Sequence, residues 1–261
     1  MPNYGETTYW DQRYAASKGE MFDWLEDYQA LKDILKDYLK PESKILILGC
    51  GNANFSEDLY DAGYEHIWNI VISSVVIHQM IIRNQHRKLM KYEVMDVCNL
   101  RYPDNFFDIA IDKSTIDALL CGENSYVITA IMLKEAQRVV KEDGGVYFAI
   151  SYGKPQYRSF HLERPFLSWD LKEFMFYPVG KEYKDQAEKE EKAHFLYICT
   201  KNKHWREAHA EHFEPVLTKL ILMEHKQRDS NAVADGQAAD TTEEADQKPL
   251  HEPVENRPKS T

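Results

Sequence analysis

The sequence holds no apolar run near the ~18 residues that a membrane-spanning helix needs. Its opening, Met1 to Glu6, lacks the basic and apolar stretches of a secretory signal peptide. Cysteine is sparse and unpatterned. Cys50, Cys98, Cys121 and Cys199 are scattered with no Cys-x-x-Cys, which gives no metal-ligand spacing and fits reduced thiols in the cytoplasm. Positive charge is in deficit, 32 Lys and Arg against 43 Asp and Glu, for a formal charge of −11. That balance argues against general nucleic-acid or anionic-membrane binding and leaves room for a basic protein partner. No internal repeat is visible. His204, His209 and His212 beside Glu211 match no zinc spacing, and a polar helix face accounts for them, so no metal is expected.

What is present describes a globular chain. Hydrophobic residues make up 43% and aromatics 12% of 261 residues, enough for one α/β domain with a large core and a tail. The organising stretch is 44–54, where the aliphatics Ile45 to Leu48 run into Gly49-Cys50-Gly51. Such a run reads as a buried parallel strand feeding a tight turn. Two glycines let a backbone approach a ligand closely. Residues 55–63 then carry apolar positions at helical spacing and stop at Gly63. Strand, glycine turn and helix open a nucleotide-binding α/β domain; a plain loop is the competing reading.

Ahead of this unit, residues 1–40 hold Trp10, Tyr14, Phe22 and Trp24, then an amphipathic helix over about 28–39. They read as an aromatic lid or as extra core. Residues 41–201 alternate, with strands at 67–71, 91–95, 107–111 and 146–150 and helices at 73–86 and 125–140. Alternation predicts a parallel sheet with right-handed crossovers and ligands at the carboxyl ends of its strands. Two late strands, 170–177 and 194–200, flank a charged loop at 180–192 and are expected to pair antiparallel. The predicted fold class is α/β: a Rossmann-like doubly wound seven-stranded sheet, mostly parallel with an antiparallel strand at the C-terminal edge. Residues 202–228 are helical in pattern but interrupted by Pro215. Residues 229–261, with eight acids and three bases, read as a disordered acidic tail.

Two chemistries suit such a domain, hydride transfer with a nicotinamide and methyl transfer from S-adenosylmethionine. The dinucleotide fingerprint wants a third glycine where this chain has Asn54. The shorter turn suits a ligand with no pyrophosphate to seat. Met95-Asp96-Val97 points the same way. A carboxylate there can accept the adenine amine while the next backbone N–H faces a ring nitrogen. The alternative for Asp96 is a turn-forming Asp after a strand.

The order YWDQRY, FDWL, ILILGCGN, SSVV, MDV, FDIAIDKSTIDALL, GGVYF and AHFLYICTK resembles the seven-stranded class I methyltransferases. Within them it is similar to the branch containing the lysine methyltransferases of translation elongation factor 1-alpha. The resemblance covers about residues 4–201 and implies S-adenosylmethionine as cofactor. It places Trp10, Tyr14 and Trp24 among residues that close over the cofactor, Gly49 beneath it and Gly51 in the same turn. Asp96 and Val97 match the adenine contacts and Lys113 a further contact after the fourth strand. A sulfonium favours aromatic faces by about 0.5–2 kcal/mol each when desolvated. Ser114 stands where relatives often have glycine.

One departure is larger. The family carries an acid at the end of the second strand that accepts from both ribose hydroxyls; this chain has Val71 there, followed by Ile72. Losing that carboxylate costs roughly 2–4 kcal/mol, or about 30- to 1,000-fold in affinity. Asn69 lies too far back to substitute. Two functions follow from the resemblance: a cytoplasmic methyltransferase acting on a protein lysine, or a catalytically inactive relative serving a larger assembly. Either implies a protein partner, with no nucleic acid and no membrane. A dehydrogenase is a third reading, disfavoured by Asn54 and Asp96. Attack by a neutral amine needs alignment and a dry channel. Asp112 and Asp117 flank the expected transfer region, and no single catalytic base is named.

Overall fold

A computed structural model describes residue 4 and residues 6–17, 19–164, 166–178 and 182–202. The helical stretch expected beyond Asn202 and the acidic tail lie outside the described residues, as do His204, His209, Glu211 and His212. Seven strands make one sheet: β1 (Ile45–Leu48), β2 (Ile67–Val71), β3 (Lys91–Val94), β4 (Ile109–Lys113), β5 (Val146–Ser151), β6 (Trp169–Phe176) and β7 (His194–Lys201). Their order is β3-β2-β1-β4-β5-β7-β6. β1 to β5 pair in parallel, whereas β7 runs antiparallel to both β5 and β6. The reversed strand therefore lies one place in from the C-terminal edge, with β6 outside it. β1 sits between β2 and β4 with all four residues buried, which is why its sequence has no polar face. The order reverses beside β1, and the crevice beyond its carboxyl end is where such sheets bind ligands.

The helices are α1 (Thr7–Ala16), α2 (Tyr28–Leu35), α3 (Phe55–Asp61), α4 (Ser74–Arg83), α5 (Thr115–Leu120), α6 (Ser125–Val139), α7 (Pro155–Leu162) and α8 (Gln186–Glu191). Local chemistry sets their starts. Asp27 accepts the Ala30 N–H at 2.9 Å at the head of α2, and Ser73 accepts the Val76 N–H at 3.4 Å at the head of α4. α2 stops four residues before the predicted end, and Lys36 to Tyr38 continue it as a turn that still buries Leu39. The strand expected at 107–111 begins at Ile109. Phe107 instead makes an isolated bridge to Val140 and packs edge-on against Trp68, Tyr102 and Phe106. The charged loop contains α8, capped by Asp185 on the Glu188 N–H at 2.8 Å. Its Glu188–Lys192 pair has i,i+4 spacing, so that charge run is a helix face as well as a solvated loop.

Candidate functional site

Residues 6–17 and 19–24 lie across the carboxyl ends of β1, β2 and β4. α1 packs on α4, where the Ser73 hydroxyl donates to Asp11 Oδ1 at 2.5 Å and Gln79 Nε2 to the Tyr14 carbonyl at 3.2 Å. Tyr14 is buried with its hydroxyl against Gly51, where a Cβ would come within 2.9 Å of it. Trp10 stacks on Tyr14, with ring centroids 5.8 Å apart. The segment after α1 is pinned twice. Asn52 donates to the Glu20 carbonyl at 2.6 Å and accepts from the Phe22 N–H at 3.3 Å. Lys113 contacts the Asp23 carboxylate and donates to the Trp24 carbonyl at 2.9 Å.

Between these anchors the Arg13 guanidinium lies 5.8, 5.2 and 5.3 Å from the ring centres of Trp10, Phe22 and Trp24. It also donates to the Tyr9 hydroxyl at 3.2 Å. Trp10, Tyr14 and Trp24 are thus brought together, and Trp10, Phe22 and Trp24 form a box around the Arg13 guanidinium.

The glycine turn has a nearer cause than ligand approach. Gly49 and Gly51 have φ of 67° and 54°, the left-handed region. A Cβ on Gly49 would run into the side chain of Thr115, whose hydroxyl donates to the Leu48 carbonyl at 2.8 Å. Gly49 therefore seats the start of α5, and Gly51 seats Tyr14. Burial pushes the Cys50 thiol between them up to about 12, so it stays protonated and is no nucleophile.

Past β3, Asp96 Oδ1 accepts the Cys98 N–H at 2.8 Å, so the turn-forming role is present. Asp96 Oδ2 has no hydrogen bond among the described residues, and Val97 beside it is buried. At the end of β2, Val71 is buried in an apolar cluster with Val76, Ile77 and Tyr92, and Ile72 is half-buried. Asn69 accepts from the Ser56 hydroxyl at 2.5 Å and donates to the Lys91 carbonyl at 3.1 Å, so its amide is committed.

The end of β4 holds the two acids expected near the transfer region. Asp112 is fully buried and accepts from the Thr115 N–H at 2.7 Å, the Ile116 N–H at 3.0 Å and the Tyr147 hydroxyl at 2.8 Å. Burial pushes its carboxyl up to about 7, against those hydrogen bonds. Asp117 accepts from Arg158 at 2.5 Å, Ser151 at 2.6 Å, the Tyr152 N–H at 3.1 Å and Ser114 at 3.2 Å. All four carboxylate oxygens are engaged, and both acids tie β4, α5 and β5 together. Ser114 has φ 66°, a left-handed backbone that suits glycine. The Lys113 side chain is buried over the Phe55 ring at 5.3 Å. Burial draws its ammonium down to about 7, and the Asp23 carboxylate works the other way.

Sequence reasoning named neither Asp11 nor Arg13, although both lie inside the quoted YWDQRY run. It also missed Asn52 and the buried pair of His194 Nδ1 with Glu26 at 2.7 Å, which joins β7 to the segment entering α2. Only the three-dimensional proximity of residues 168 apart signals that pair.

Residues 46–148 match the family model described as a methyltransferase domain. EEF1A lysine methyltransferase 4 of Bos taurus is 30% identical over 194 residues, which cover 68% of this chain and 76% of that protein. The chain belongs to the class I methyltransferase family, in the branch of the eEF1A lysine methyltransferases. The eEF1A lysine and N-terminal methyltransferase of Mus musculus is 40% identical over 151 residues, and this methyltransferase chain spans only 22% of it. Among solved structures, the fold is similar to the putative methyltransferase complexed with the Trm112 activator of Haloferax volcanii. That match has a TM-score of 0.56 and 10% identity, covering 77% of this chain and 97% of the other.

The methyltransferase site fits the family's S-adenosylmethionine. Trp10, Phe22 and Trp24 present cation-binding faces, to Arg13 of the chain itself, and Asp96 Oδ2 is left over at the end of β3 among the described residues. Among the described residues no group of His, Cys, Asp and Glu could hold a metal ion, and no helix is long and apolar enough to cross a membrane.

Proposed function

We propose that this chain transfers a methyl group from S-adenosylmethionine to a lysine side chain of a protein in the cytoplasm. The observation that carries the reading is the aromatic lid, pinned by Asn52, Ser73 and Lys113 over the strand ends with its rings around a cation. Two relatives are named for methylation of eEF1A, which makes that elongation factor the first substrate to test. When bound, S-adenosylmethionine supplies an electrophilic methyl group on a sulfonium. Trp10, Tyr14 and Trp24 close over it and attract its charge. Asp96 and Val97 recognise the adenine edge, Gly49 and Gly51 hold the turn beneath it by seating Thr115 and Tyr14, and Lys113 fixes the lid by holding Asp23 and Trp24.

The acceptor amine must be neutral to attack. A dry channel favours the neutral form, as burial draws the Lys113 ammonium from 10.5 down to about 7 despite its Asp23 partner. With every oxygen of Asp112 and Asp117 engaged, transfer rests on alignment and exclusion of water and has no dedicated carboxylate base.

Val71 supports a second reading, a non-catalytic relative that keeps the fold as a binding subunit. Incubating the full chain with eEF1A and isotopically labelled S-adenosylmethionine separates the two. Label on a lysine-containing peptide is the expected result. No label on eEF1A together with no detectable cofactor binding, rescued by Val71→Asp, would favour the second reading.

A further inference from the structure

We infer that Asp11 supplies the ribose-binding carboxylate that position 71 lacks, so that the cofactor diol is recognised from α1 instead of from β2. The inference rests on the donor-binding reading above. In nucleotide-binding sheets an acid about 20 residues beyond the glycine turn meets the ribose hydroxyls. Counted from Gly49 and Gly51 that place falls at the end of β2, where neither residue that could serve is able to. Asn69 is committed to Ser56 and Lys91, and Val71 is buried among apolar side chains.

A carboxylate reaches the same strand end from outside the sheet. Ser73, two residues beyond Val71, donates its hydroxyl to Asp11 Oδ1 at 2.5 Å. Asp11 and Tyr14 are three residues apart and share one face of α1. Tyr14 rests against Gly51, so that face runs from the glycine turn to the end of β2, the span an adenosine ribose must cross. Asp11 is half-buried, and its Oδ2 has no hydrogen bond among the described residues. Docking α1 onto the head of α4 uses only one of the two oxygens. The second is placed to accept from a hydroxyl, and because it rides on α1, ribose recognition is complete only with the lid in place.

Calorimetric titration of the full chain with S-adenosylhomocysteine and with its 2′,3′-dideoxy analogue tests this. Wild type is expected to prefer the hydroxylated ligand by about 10- to 100-fold, the worth of hydrogen bonds to a charged acceptor. Asp11→Asn keeps an acceptor for Ser73, so α1 stays docked. It should lose the preference while binding the dideoxy analogue as wild type does. Val71→Asp in the Asp11→Asn background should restore the preference. A purely structural Asp11 would weaken both ligands alike or neither. Equal discrimination by wild type and Asp11→Asn overturns the inference and leaves donor binding standing. Binding by Val71→Asp but not by wild type also overturns it, since Asp11 then fails to compensate. Binding by no variant overturns the inference and the donor-binding reading together.

Discussion

Asp112 is the acid whose replacement reports most fully on how the site is held. It accepts three hydrogen bonds in a fully buried position, from the Thr115 N–H at 2.7 Å, the Ile116 N–H at 3.0 Å and the Tyr147 hydroxyl at 2.8 Å. Alanine leaves three buried donors without a partner, at about 1–3 kcal/mol each. The sum, roughly 3–9 kcal/mol, is comparable with the whole stability of a domain, about 5–15 kcal/mol. Asp112→Ala is therefore expected to be largely unfolded at room temperature. Asparagine keeps a carbonyl for the two backbone N–H groups and offers an amide N–H to the Tyr147 oxygen, so Asp112→Asn should lose only about 1–2 kcal/mol.

The pH dependence has a definite sign. Burial raises the folded carboxyl from 3.8 to about 7, so between those values the native state keeps a proton that the unfolded chain has released. The contribution of Asp112 is full below about pH 4, shrinks as pH rises and is gone above about pH 7, with an upper bound of about 4 kcal/mol. Denaturant midpoints followed by far-UV circular dichroism from about pH 4.5 to 7.5 should show wild type losing stability relative to Asp112→Asn. A difference that stays constant over this range refutes the titration argument. An Asp112→Ala protein within ~1 kcal/mol of wild type refutes the hydrogen-bond argument.

Other substitutions test the lid and the turn separately. Lys113→Met frees Asp23 and the Trp24 carbonyl, so amide exchange over residues 20–24 should rise about tenfold while β1 and β4 keep their protection; unchanged exchange would contradict the latch. Arg13→Gln removes the cation from three rings, at about 0.5–1 kcal/mol each, and should shift tryptophan emission. An identical spectrum counts against the box. Gly49→Ala combines about 1–2 kcal/mol of left-handed backbone cost with about 1–3 kcal/mol of overpacking against Thr115. Adding Thr115→Ala should recover only the second part, as read from unfolding midpoints. Arg138→Ala unpins the carbonyls of Leu100 and Tyr102 and the carboxylates of Asp104 and Glu135, for a loss of about 2–4 kcal/mol.

The sheet was legible because its central strands are buried on both faces: a run such as Ile45 to Leu48 has no other use for four aliphatics. Asp96, just past β3, was legible from its position, which a parallel topology carries to the rim, whereas Lys113 at the end of β4 came only from the family resemblance. α1 was not legible as a helix. It buries only Tyr14 and lacks a side-chain cap, so neither periodicity nor an N-cap marks it. α5 and α7, with six and eight residues, are too short for a periodic signal and are fixed by tertiary ties such as Asp112 and Arg158. A packing reason for the glycines was not legible. Nothing in the chain order tells that Gly49 faces Thr115 or that Gly51 faces Tyr14, because both partners come from distant segments. Location alone left the roles of Asp112 and Asp117 open, and their hydrogen bonds give both an architectural part.

The central claim is that the cofactor lies between the glycine turn, the end of β3 and the aromatic lid. Hydrogen–deuterium exchange of the full chain with and without saturating S-adenosylhomocysteine tests it most directly. Protection is expected together at residues 49–54, 95–98 and 6–24, with the remote edge at β6 unchanged. Protection confined to other segments, or none in these three, would contradict the account.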